Sequence, residues 1–217
     1  LQLITGIDRF LTLWGRPFIF TTQAYYKYLW DLNPYEIDNV RIRYYADNIA
    51  IGYATGLDVR INGEFIAGTQ SWFSLGLLKT MEDIENDENG YQRRPSDQRI
   101  TIGAFFEDHL PNDPSLRVYL NLNFGSGYPF GPPNNSAYRN AFSGDEYYRV
   151  DLGLTKIIPI SNLNFLKNII LRLEVLNILE ADNTISYHWI EDVNGNNLAI
   201  PNSLSARYFN LKIMCNL

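Results

Sequence analysis

Read for hydrophobicity, the chain falls into nine stretches in which every second residue is apolar. The cleanest is Leu116 to Phe124, where Leu116, Val118, Leu120, Leu122 and Phe124 alternate with Arg117, Tyr119, Asn121 and Asn123. A period of two is the signature of a strand with unlike sides. The same alternation runs from Phe18 to Tyr28, Ile51 to Phe65, Phe73 to Leu77, Ile100 to Phe106, Val150 to Leu154, Leu171 to Val175 and Phe209 to Leu217. It is only approximate in the opening Gln2 to Leu11. No helical period intervenes, so the pattern predicts an all-β, antiparallel fold.

What the apolar side touches decides the class. Asp58, Arg60, Glu64, Arg117, Arg149, Asp151, Arg172, Glu174 and Lys212 share the polar side, and the opposite side keeps almost no charge through the middle of each strand. That is the sidedness of a transmembrane β-strand, where a Lys or Arg at the lipid midplane costs ~2–4 kcal/mol. A slip of one residue would turn Arg117 toward lipid, so the register is strongly specified. The connections then alternate short and long. Gly15 to Pro17, Ile66 to Thr69, Pro111 to Ser115 and Ser161 to Asn168 are short; Leu29 to Asn48, Glu82 to Gln98, Gly125 to Glu146 and Glu180 to Ser205 are long. All long connections therefore emerge at one end, the rhythm of an outer-membrane barrel with tight periplasmic turns and long extracellular loops. Greek-key sandwiches rarely keep it. Phe18, Phe20, Phe73 and Phe106 lie toward the short turns, and Tyr26, Tyr28, Phe124 and Phe209 toward the long loops, as two interfacial girdles require.

Composition narrows the options further. A formal charge of -6 supplies no basic stripe for phosphates, which argues against nucleic acid as a partner. No apolar run approaches the roughly 20 residues of a membrane-spanning helix. The single Cys215 excludes an intrachain disulfide and, on the apolar parity, reads as a small filler. The chain opens as if in mid-strand without an initiator Met, so it reads as a mature fragment or one piece of something longer.

Catalysis finds little footing. His109 beside a short turn and His188 in a long loop do not pair as metal ligands, and Ser186 with His188 is ordinary loop chemistry, so the expectation is no enzyme, no metal and no cofactor. The acidic run at Glu82, Asp83, Glu85, Asp87 and Glu88 lacks the spacing of a calcium loop and reads as a solvated loop, with divalent bridging to lipopolysaccharide as the alternative. The remaining long loops combine flat aromatics with guanidinium groups. Trp30, Tyr35, Arg43, Tyr44, Tyr45, Tyr91, Arg93, Arg94, Tyr128, Phe130, Tyr138, Arg139, Tyr187 and Trp189 are the candidate ligand contacts, with interfacial and loop-packing roles for many of them. Asp97 with Arg99, and Arg149 with Asp151, are expected to form ion pairs, and Asn177 to be architectural.

In order along the chain, QAYYKYLWDLNPYEIDN, GYATGLDVRINGEF, TQSWFSLGLLKTMED, RRPSDQRITIG, GSGYPFGPPNN, YYRVDLGLTK, LRLEVLNILEADNTISYHWI and SARYFNLKI together resemble the C-terminal barrel of a TonB-dependent outer-membrane receptor of the Bacteroidetes type. The resemblance covers essentially all of residues 1–217 and implies about nine strands of a 22-strand barrel, with plug and early strands absent. The closing alternation from Phe209 resembles a barrel-assembly signal, although it ends in Leu217 where the family customarily has Phe. The implied location is the outer membrane of a Gram-negative bacterium. The implied activity is import of a siderophore, metal chelate, cofactor or oligosaccharide, driven by proton-motive force. Partners would be outer-membrane lipid and lipopolysaccharide, TonB acting through the plug, the remaining strands from the same longer chain or another polypeptide, and a surface lipoprotein. The alternatives are a passive or structural outer-membrane barrel and, in another class, a soluble carbohydrate-binding β-sandwich.

Overall fold

The computed structural model describes residues 1–133, 135–160, 165–204 and 206–216. The alternation from Phe209 continues to Asn216, whereas Leu217, residues 161–164 of one short turn and Ser205 of one long loop lie outside the described residues. The chain begins with β1 (Gln2–Leu13) and β2 (Arg16–Leu32), then a hairpin of β3 (Tyr35–Asp38) and β4 (Arg41–Tyr44). Next come β5 (Ala50–Gly63), β6 (Ser71–Ile84), the two-residue β7 (Gln92–Arg93), β8 (Ile100–Leu110) and β9 (Asp113–Gly125). A small ribbon of β10 (Pro129–Phe130) and β11 (Phe142–Ser143) precedes β12 (Tyr147–Pro159) and β13 (Asn168–Leu176). A second hairpin, β14 (Thr184–Glu191) and β15 (Asn197–Ser203), leads to β16 (Tyr208–Asn216).

Nine of these strands form one antiparallel meander in the order β1-β2-β5-β6-β8-β9-β12-β13-β16. The fold is thus all-β and antiparallel, as the alternation predicts. Each neighbour in space is the next long strand in sequence, so connections leave alternately at opposite ends. One end carries tight links: Trp14-Gly15, with both residues at positive φ, and Pro111-Asn112 are two-residue turns. Positive φ at both central positions matches the right-handed twist of a two-residue hairpin. The other end carries residues 33–49, 85–99, 126–146 and 177–207, and all the small ribbons lie there. Strands run further than the alternation alone indicates. β2 reaches Leu32 through a register shift after Leu29, with Asp31 at φ +53°, and β6 reaches Ile84.

The register keeps the two faces apart across the sheet. Gln23, Asp58 and Gly76 share one row, and Asn121 pairs with Asp151, Thr155 with Arg172, and Arg172 with Lys212. On the opposite face, Leu57, Phe73, Leu77, Val118, Leu152, Leu154, Leu173 and Leu211 are all exposed although they lie within strands. Among the described residues the buried hydrophobic side chains are only Phe18, Ala50, Ile84, Ala104 and Ala181. The accessible surface is 13645 Å². A compact soluble monomer of 25.1 kDa would show about 10,000 Å². Among the described residues no second layer covers the apolar face. β1 departs from the rule: Arg9 stands on the apolar side opposite Phe20, while Phe10, opposite Ile19, shares the polar side. This mixed sidedness is the physical content of its weak alternation.

The polar face is knitted by side chains rather than by apolar packing. The Tyr119 hydroxyl donates to Glu174, whose other oxygen accepts from Asn210 Nδ2 at 2.7 Å, and Arg172 lies over the Tyr119 ring at 5.6 Å. Trp72, Phe105 and Tyr119 continue as a row of stacked rings, at 6.5 and 5.5 Å. Tyr119 can lie flat because its neighbour in the ladder is Gly153: a Cβ there would sit 2.0 Å from the ring. Gly56 gives Tyr25 the same room. Gly153→Ala is therefore expected to displace Tyr119 and to cost about 1–3 kcal/mol through overpacking. Chemical unfolding of the variant measures the loss, and a change below about 0.5 kcal/mol would contradict the assigned role.

Candidate functional site

Three of the four long connections are assembled on two buried carboxylates. Glu82, at the long-loop end of β6, has no exposed surface and sits between two guanidinium groups. Arg94 Nε donates to Glu82 Oε2 at 2.9 Å, and Arg139 Nη2 donates to its other oxygen. The same Arg139 nitrogen reaches the Tyr35 carbonyl at 3.0 Å. One carboxylate thereby ties the connections at 85–99, 126–146 and 33–49 to the end of β6. The second anchor, Asp97, is equally buried: it accepts from Thr80 N at 2.6 Å, Arg93 Nε at 2.7 Å and Arg99 Nε at 2.6 Å. Arg93 carries the network onward to Ser143 Oγ at 2.7 Å, and Asn140 Nδ2 donates to the Arg93 carbonyl at 2.8 Å. Taking a carboxylate out of water is costly, and two arginines per acid with further hydrogen bonds are the kind of compensation it needs.

Aromatic stacking brings the fourth connection in. Tyr187 of β14 stacks on Phe130 of β10 with ring centres 4.0 Å apart, and Trp189 lies against the same Phe130 at 5.9 Å. The Tyr187 hydroxyl accepts from Asp145 N at 3.0 Å and donates to Asp145 Oδ2 at 3.1 Å. Asn39, at the turn of the β3–β4 hairpin, accepts from Ser186 Oγ at 3.4 Å and Asn202 Nδ2 at 3.2 Å. Between these connections lies a cleft of about 310 Å³.

Seven of the candidate ligand contacts line that cleft: Tyr35, Arg43, Tyr128, Phe130, Arg139, Tyr187 and Trp189. The other seven lie outside its wall. Arg93 and Arg94 are engaged by Asp97 and Glu82. Tyr45 donates its hydroxyl to Glu36 at 2.7 Å, Tyr44 packs on Tyr35 at 5.9 Å, and Tyr138 stacks on Phe142 at 6.4 Å. Trp30 leans on Tyr28, and Tyr91 on Tyr53. Within the wall Arg139 is itself almost fully buried and shared with Glu82. The expected ion pairs are present, with Arg99 on Asp97 and Arg149 Nε 2.7 Å from Asp151 Oδ1. Asn177 is buried at positive φ, its side-chain Oδ1 accepting from Ala181 N at 3.1 Å, in keeping with an architectural role.

The acidic run divides. Glu82 and Asp83 belong to β6, and Glu85, Asp87 and Glu88 follow in the connection. Among the described residues no group of three or more His, Cys, Asp or Glu is arranged to hold a metal. Ser186 bonds Asn39, His188 is exposed on β14, and Cys215 is exposed on the apolar side of β16. Asp145, Glu36 and Asn39, which shape the cleft, carry no signal of their own in the sequence. The hairpin that brings Tyr187 and Trp189 there does carry one, since Asn194-Gly195 is a turn dipeptide between alternating runs. Comparison of the chain with family models, with curated proteins and with solved structures finds no match.

Two outcomes test this assembly. Glu82→Ala leaves two guanidinium groups without their buried acid and is expected to cost about 3–5 kcal/mol. Asp113→Ala, which breaks the half-exposed 2.5 Å pair with Lys156, should cost far less, because solvent screens that pair. Equal losses in urea unfolding would contradict the anchoring role of Glu82. Burial, followed by its bond to Glu36, pushes the Tyr45 phenol up to about 12 from 10.0. The protonated form is the favoured one, so this stabilisation is complete below pH 10 and is lost as pH rises through about 12. Phenolate absorbance of the wild type minus Tyr45→Phe should show one tyrosine titrating near 12; ionisation near 10 would contradict the bond to Glu36.

Proposed function

We propose that the chain is the C-terminal part of a TonB-dependent outer-membrane receptor. Its nine-strand sheet would form part of the wall of a closed 22-strand barrel, and its long connections the mouth that captures an extracellular ligand. The observation that carries this reading is the uncovered apolar face of a regular meander whose opposite face is charged and hydrogen-bonded. Lipid would cover the first face and a plugged, hydrated lumen the second. A soluble sandwich needs a protein layer on the apolar face, and the described residues supply none.

Two aromatic groups bracket that face. Trp14, Phe18, Phe65 and Phe106 meet edge to face at the short-turn end, at 5.9, 5.0 and 5.7 Å between successive ring centres. Tyr26, Tyr53 and Tyr91 meet at the long-loop end, where Lys79 lies 5.8 Å from the Tyr53 ring. From Phe18 to Tyr28 the strand covers about 33 Å at ~3.3 Å per residue. At a tilt of ~40° that becomes about 25 Å, the height of the apolar band of outer-membrane barrels. The edges β1 and β16 would pair with the remaining strands, since each unpaired backbone group in hydrocarbon costs several kcal/mol. Those strands would come from the same longer chain or from another polypeptide. A passive barrel shares such a wall but does not need a cleft built by four anchored connections. The wider reading is import energised by TonB through a plug, with lipopolysaccharide and a surface lipoprotein as neighbours at the rim.

Leu152→Arg, on the apolar face, should lower barrel stability by ~2–4 kcal/mol, while Asn121→Arg on the opposite face beside Asp151 should cost under about 1 kcal/mol. The outer-membrane yield of folded receptor reads the difference, and equal tolerance would count against the lipid-facing assignment. A strain whose growth on a limiting nutrient requires this receptor should stop growing on it when TonB is deleted. Undiminished growth would favour the passive barrel.

A further inference from the structure

Resting on the cleft as the capture site, we infer that its ligand is an uncharged, polyhydroxylated ring compound, a short oligosaccharide segment, and not an anionic metal chelate. The charges of the wall are already matched from within. Arg43 is held by Asp38 at 2.5 Å and Arg139 by the buried Glu82. A site for an anion presents guanidinium forks to the ligand. Here each guanidinium already has a protein carboxylate as a partner, while Glu36 and Asp145 add further negative charge to the wall. An anionic chelate entering the cleft would meet three wall acids, Glu36, Asp38 and Asp145, against two arginines that already have carboxylate partners.

What the cleft does offer suits a sugar. Trp189, Tyr128 and the stacked Phe130–Tyr187 pair present aromatic surface on two separate connections. The face of an aromatic ring is its negative pole, and the C–H groups on one side of a pyranose carry the complementary partial charge. The carboxylates of Asp38 and Asp145 accept hydrogen bonds and cannot donate, which suits hydroxyl donors. The volume of about 310 Å³ lies at the small end of ligand pockets, enough for a segment of a saccharide held at the mouth.

The test uses the complete receptor in detergent, with maltohexaose, cellohexaose, xylohexaose, mannohexaose and chitohexaose as uncharged probes, ferric citrate as the anionic chelate and an uncharged hexapeptide. At least one hexasaccharide is expected to bind, to perturb tryptophan fluorescence and to hold its Kd within about twofold over a tenfold rise in salt. Trp189→Ala should weaken that binding about tenfold, the worth of one aromatic stack. Tyr128→Ala, at an exposed side chain on another connection, should weaken it without disturbing the hairpin. The inference is overturned if no hexasaccharide binds, if ferric citrate or the hexapeptide binds in their place, or if neither substitution changes the affinity. Uptake separates this from the import reading. A chelate accumulated only with an intact proton gradient would sink the ligand class and leave energised import standing. Saccharide binding with gradient-independent uptake would do the reverse.

Discussion

The structure depends on the hydrogen-bonded ladder that fixes the register of its strands. Because side chains alternate strictly along each strand, register alone decides that Leu120, Leu152 and Leu173 share one environment while Asn121, Asp151 and Arg172 share the other. Few apolar groups are withdrawn from solvent, so the sheet is not held by a conventional core. Backbone pairing, the polar network around Glu174 and Asp151, and rings laid over glycine hold it instead. Such a sheet is complete only when a third party covers its apolar side.

Above the sheet a different kind of bond takes over. Glu82 and Asp97 are buried acids that each bind two arginines, so the connections at the long-loop end are fixed by charge matched within protein. That choice has a functional consequence: arginines spent on anchoring are not offered to a ligand. The cleft beside them is left with aromatic rings, matched charges and hydrogen-bonding groups of both kinds. Positioning and selectivity thus follow from the same ion pairs.

How much of this could be read from the residues varies with how local the cause is. Strand identity and sidedness were legible, since a period of two is a property of neighbours, and the rough alternation of residues 2–11 has its counterpart in the mixed faces of β1. The hairpins within the long connections were not, although Asn194-Gly195 announces one of them; short ribbons with exposed Ile37 and Ile42 look like loop. For the cleft, aromatic and arginine content marked connections whose residues line it. It could not separate Trp189, which lines the cleft, from Arg94, which is locked away from it. That difference is set by partners distant along the chain, as with Glu82 and Arg139, 57 residues apart.

The central claim is that hydrocarbon, and not protein or water, is what the apolar side chains touch. Nitroxide labels at Leu75 and at Asn123 of the protein in lipid bilayers test it most directly, through their collisions with dissolved oxygen and with a water-soluble nickel chelate. The account predicts that the label at residue 75 is relaxed by oxygen and shielded from nickel, and that the label at residue 123 lacks this lipid signature. A label at residue 75 hidden from both reagents, or relaxed by nickel, would contradict it.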